Sequence, residues 1–191
     1  MDDLVFGTRN KRGDWKPNEP VALPPIWRRP FSLAAVLKWL PDYLFPWNAF
    51  HLVTALLYWR FVIPEAEVMR TLSWGWGLWL YAVNGLCIFV MYGSVELFYY
   101  VRRKQGTRFK YNAKFPADAP SGVFWFKSQN IDSMLRIAFH AIPIWTALEV
   151  GILYAYAHGY VPWLTFATHP LYLTALAVLV PVIHETHFYV L

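Results

Sequence analysis

A single cysteine, Cys87, excludes any intrachain disulfide, and its place inside an apolar block leads to the expectation of a small buried residue. Charge is scarce, at 15% of residues, and acids are fewer than bases, 12 against 17. No Gly-rich phosphate loop ends in Lys-Ser/Thr, no nucleophile elbow is present, and no Cys-x-x-Cys pair offers a metal clasp. No internal repeat stands out. The first 40 residues are polar and proline-rich, without an apolar core followed by a small-residue cleavage site. The first apolar segment is therefore expected to insert as a retained anchor.

What is abundant is apolar and aromatic surface. The chain is 57% hydrophobic and 19% aromatic, against about 45–50% apolar for a soluble domain. The excess sits in long blocks, the pattern of membrane spans rather than of a large soluble core. The expected architecture is an all-α integral membrane protein with four transmembrane helices, an N-terminal proline-rich arm and a short interfacial helix. Residues 1–43 are the arm. Half of the fourteen prolines fall between Pro17 and Pro46, which argues against regular helix through Pro17–Pro20 and Pro24-Pro25. Within the arm, 31–43 places Leu33, Val36, Leu37 and Leu40 at helical spacing, as a helix lying on a membrane surface does. The spans are expected at about 44–63, 72–101, 137–160 and 170–191, with kinks at Pro143 and Pro181.

Lys and Arg decide the orientation. Seven lie in the arm and eight between Arg102 and Arg136, while the outer connections and their flanks hold only Arg60 and Arg70. Fifteen against two places the arm, the middle loop and the chain's end on the cytoplasmic side, which requires an even number of spans. This clustering also explains the net charge of +5 without nucleic acid. Arg102, Arg103, Lys104, Arg108 and Lys110, interleaved with aromatics, are expected to bind lipid headgroups.

Ionisable groups inside apolar spans are costly and mark candidate sites. Glu149 lies mid-span, with no cation one turn away. It needs a partner on another helix, with His51 and Asn84 at similar depth. It reads either as a structural hydrogen bond or as a proton- or substrate-handling group, the latter motivating transport as a weaker reading. Glu96 and His140 lie toward cytoplasmic span ends, as interfacial groups or parts of a site there. His158 and His169 lie on the outer side. His184 and His187 share a helical face and are half a metal site; Glu185 points elsewhere and suits a second-shell bond to another imidazole.

The run His184-Glu185-Thr186-His187-Phe188-Tyr189, after a proline-containing apolar span, resembles the stretch preceding the first histidine box of the fatty acid hydroxylase/sterol desaturase superfamily. Residues Phe6 to Trp15, Gly106 to Asn112 and Pro143 to Thr146 resemble the front half of bacterial members. The resemblance implies an integral membrane oxygenase, in a bacterial inner membrane, that hydroxylates or desaturates a fatty acyl or sterol substrate. It implies a di-iron centre held by HxxxH and HxxHH boxes and an electron-donor protein. It matches Tyr189 to a tyrosine three residues before the first ligand, and His184, Glu185 and His187 to positions flanking the site. The boxes themselves are absent, so this chain alone is expected to be inactive and to bind no iron. The alternative is a non-catalytic structural subunit of a respiratory or photosynthetic membrane complex. The oxygenase reading expects the native polypeptide to exceed 22.3 kDa, with peptides continuing into His-Arg and further histidines. Intact-mass spectrometry checks this, and a mass of 22.3 kDa would favour the structural subunit.

Overall fold

A computed structural model describes residues 2–20, 22–119 and 122–190, with the side chains of 185 and 188–190 outside the description. The chain is mostly helical, with one two-stranded hairpin among the described residues. It divides into two compact units, Met1–Ala22 with Trp74–Val150, and Leu23–Ser73 with Gly151–Leu191.

The first unit begins with a feature the composition did not announce. Strands β1 (Gly7–Arg9) and β2 (Trp15–Pro17) pair antiparallel, Thr8 opposite Lys16. The Asn10 side-chain oxygen accepts from the N–H groups of Arg12 and Asp14, and Gly13 turns the chain at φ +84°. Only glycine adopts that conformation without steric cost, so Gly13 closes the hairpin. The hairpin docks on the segment 107–113. The Asp3 carboxylate, 5% exposed, accepts from the Phe109 N–H at 2.9 Å and from the Arg9 guanidinium at 2.5 Å. Arg9 also donates to the Thr107 carbonyl, and the Trp15 N–H donates to the Tyr111 carbonyl at 2.9 Å. The Asp14 carboxylate accepts from the Ala113 N–H at 3.1 Å. Phe109 sits at φ +55°, costly for a side chain with a Cβ. The Asp3 bond on its N–H and the Phe6 and Trp15 rings around it, 6.2 and 5.5 Å between centroids, hold it there.

The remainder of this unit is built on two long helices. Helix α4 (Trp74–Glu96) runs on through one π turn, Leu97–Val101. Helix α5 (Gln129–Arg136) continues through another, Ile137–Ala141, into α6 (Ile142–Ala157). Pro143 has no N–H and its ring crowds the carbonyl four residues back, so the turn before it widens. The proline predicted to kink the span is accommodated by that π turn. Trp76, Leu80 and Asn84, each four residues apart, form the buried ridge of α4. Ile142 and Thr146, four apart, form that of α6. Outside these ridges the helices are apolar yet exposed, at Leu86, Val90, Ile144, Leu148 and Ile152.

In the second unit, α1 (Leu33–Tyr43) occupies the stretch predicted for a short helix, with the Ser32 hydroxyl accepting from the Ala35 N–H as its cap. Phe45 then leaves helical geometry at φ −116°, ψ 143°, the extended conformation a following proline imposes. Helix α2 (Ala49–Phe61) and the single turn α3 (Ala66–Met69) follow, with Met69 fully buried. Helix α7 (Pro170–Val190) contains Pro181. The Tyr43 hydroxyl donates to the Val178 carbonyl of α7 at 2.8 Å. Burial raises the Tyr43 pKa, opposed by the Val182 N–H against the same oxygen.

The expectation of four long apolar helices is corrected. Among the described residues two helices are long and apolar enough to cross a membrane, Trp74–Val101 and Gln129–Ala157, and only 11% of the most apolar stretch of each is buried. The stretch expected at 44–63 is broken at Phe45-Pro46, leaving 13 helical residues, about 20 Å at 1.5 Å each. In α7 the described side chains form an apolar stretch over Pro170–His184.

Acid is expected to undock the hairpin. The Phe109 N–H, before the Arg9 cation, holds the Asp3 carboxyl below the usual aspartate range; the Ala113 N–H and the Asn10 amide do the same for Asp14. Lowered folded-state values stabilise fully above the unfolded aspartate pKa, about 3.9, and that stabilisation is lost as pH falls through them. Amide exchange at 107–113, taken relative to the intrinsic rate at each pH, should therefore be slow at neutral pH and rise below about pH 4. Asp3→Asn should raise it at neutral pH; unchanged exchange would mean that the carboxylate does not hold the hairpin.

Candidate functional site

The first unit carries an open groove of about 850 Å³ between the end of α4 and α5. Its walls are Ile88, Phe89, Leu97, Val101, Met134 and Ile137; Glu96, Tyr100, Gln129, Asn130 and Ser133 add polar atoms. From Ile88 to Val101 it follows roughly 20 Å of helix. A volume within the range of about 300–1,000 Å³, largely apolar walls and a few polar groups are what a ligand cleft requires.

Two local networks set the groove's shape. The Ala117 N–H donates to the Gln129 side-chain oxygen at 3.0 Å, and the Gln129 N–H returns a bond to the Ala117 carbonyl at 2.9 Å. One turn along, Asp132 is 3% exposed. It accepts from the Trp125 N–H at 2.9 Å and from Arg136 at 2.7 Å, while the Arg136 guanidinium lies 4.8 Å over the Trp125 ring. These bonds fasten Ala117 and Trp125 to the start of α5. The Asp132–Arg136 pair stands at helical i, i+4 spacing and could have been read from the sequence; the Trp125 bond could not.

The singled-out residues fall in different places. Glu96, half-buried, lines the groove. His140 is exposed with its ring 6.3 Å from Trp125. Of the partners considered for Glu149, Asn84 is bonded to it: the Asn84 amide donates to Glu149 at 2.7 Å and to the Thr146 hydroxyl at 3.1 Å. His51 belongs to the second unit, with its ring edge-on to Phe50.

Among the predicted headgroup ligands, Arg102 and Lys104 are exposed. Arg103, at φ +49°, pairs with Asp118 at 3.2 Å and lies over the Phe115 ring. Arg108 donates to the Gln105 carbonyl at 3.3 Å. The Lys110 ammonium donates to the Asn112 and Lys114 carbonyls and lies over the Tyr100 and Phe115 rings.

His184 and His187 are exposed on the last turns of α7; Glu185 and Tyr189 lie outside the described side chains. His158 contacts the Tyr154 and Tyr160 rings, and His169 meets the Thr168 hydroxyl. Among the described residues no three His, Cys, Asp or Glu side chains converge on a point where a metal could sit. The described donor set does not fit an iron centre.

The Asn84–Thr146–Glu149 cluster should act as a helix-pairing element. Asn84→Leu is expected to destabilise the detergent-solubilised protein by about 1 kcal/mol, the scale of interhelical hydrogen bonds in membranes. Glu149→Gln keeps an acceptor and should leave thermal unfolding almost unchanged; if it abolished ion or solute movement, the cluster would belong to a transport path. Comparison with protein-family models, curated proteins and solved structures finds no match for this chain.

Proposed function

We propose that the chain is the membrane-embedded, lipid-holding part of an oxygenase of the fatty acid hydroxylase/sterol desaturase kind. The observation that carries the lipid-holding role is the groove between α4 and α5, about 850 Å³, apolar for most of its length and polar at the α5 start. Such a cleft accepts an extended acyl chain by burial alone, at about 0.8 kcal/mol for each CH₂ removed from water. The setting supports the same reading. Leaving the outer faces of α4 and α6 against water would cost about 25 cal/mol per Å² of apolar surface, whereas hydrocarbon removes that cost. The tie to an oxygenase rests on the resemblance around His184–Tyr189 and the three supporting stretches. Histidine boxes of that family's HxxxH and HxxHH forms are not among these 191 residues, so the role assigned here is binding and alignment.

Filling the groove tests this. A Cβ at Gly93 would meet only Phe89, at 3.9–4.0 Å, so Gly93→Leu adds bulk to the groove without displacing backbone. Combined with Ser133→Phe, it should reduce acyl lipid co-purifying with the protein to the detergent background, measured by mass spectrometry of the extracted lipid. Full lipid retention by this variant would refute the groove as the acyl site.

A further inference from the structure

We propose that the groove and the loop after α4 form one site for an anionic membrane phospholipid, with an acyl chain along the groove and the phosphate against Arg102 and Lys104. The proposal deepens, and rests on, the reading of the groove as an acyl-chain site. Tyr100 joins the two parts. It lines the apolar groove and also a smaller, more polar pocket of about 400 Å³ that includes Gln105, Phe109 and Lys110.

Charge chooses the headgroup. From Leu97 to Ala117 the chain carries six cations and no acid. Three are already engaged, Arg108 by the Gln105 carbonyl. Lys110 is turned inward onto two aromatic rings and two carbonyls, and Arg103 faces Asp118. Arg102 and Lys104 are exposed and follow directly on Val101, the last groove residue of α4. Glu96 within the groove opposes any anion drawn further in, so the negative group belongs at the loop and the chain in the groove. The loop is held in shape. Arg103, Gly106 and Phe109 all adopt positive φ, and the N-terminal hairpin fastens Thr107 to Ala113. Cations on a held backbone lose less freedom on binding than cations on a free one.

The test uses the full chain in detergent with equal phosphatidylglycerol and phosphatidylcholine of identical acyl chains, the retained lipid being read by native mass spectrometry. The wild-type protein should retain phosphatidylglycerol preferentially. R102Q/K104Q should lower the ratio of the two lipids by roughly fivefold per cation removed, the factor that corresponds to about 1 kcal/mol per basic residue at an anionic surface. The groove-filled G93L/S133F protein should retain neither lipid. Retention of both lipids without preference, or a preference that survives R102Q/K104Q, overturns the headgroup assignment and leaves the acyl groove standing. Retention of no lipid by the wild-type protein overturns both.

Discussion

The Asp3 carboxylate is the contact on which the arrangement around the groove depends. It lies near the start of the chain and accepts the N–H of Phe109, 106 positions later. Phe109 is in a left-handed conformation that its own side chain disfavours. An anionic acceptor makes a stronger hydrogen bond than a neutral one, and Arg9 keeps that anion compensated while reaching on to Thr107. Around this bond the Phe6, Trp15 and Phe109 rings pack together, and the path of the loop from Thr107 to Ala113 follows.

Polar groups do the specifying throughout the first unit, while apolar ones supply surface. Its buried apolar core is small, drawn from Trp76, Leu80 and Ile142. What gives α4 and α6 a register is the Asn84–Thr146–Glu149 cluster, helped by the Tyr81 hydroxyl on the Ala138 carbonyl. What orders the connection into α5 is Asp132 with Trp125 and Arg136. Helices that are apolar all round can slide or rotate against each other at little cost; a few directional bonds remove that freedom.

The long helices were legible because apolar runs report themselves. The stretch expected at 72–101 is observed at Trp74–Val101, and the short helix expected at 31–43 at Leu33–Tyr43. The helix expected to begin at 137 begins at Gln129, because α5 is polar and carries no apolar signal of its own. The break at Phe45 was legible in principle, since proline forces the residue before it out of helix, but the surrounding apolar run masked it. The hairpin was not legible: its strands have three residues each and its partner lies far along the chain. Of the site, Glu149 was visible from its depth in an apolar run, and depth offered two partners, His51 and Asn84, without choosing between them. The groove was not, because it arises from how two helices and a proline-bearing loop pack, and no single segment encodes it.

The docked hairpin also constrains topology. In a bilayer, a hairpin bonded to residues 107–113 lies on the same face as that segment, so the sidedness of the two is fastened by a carboxylate as well as by the distribution of Lys and Arg.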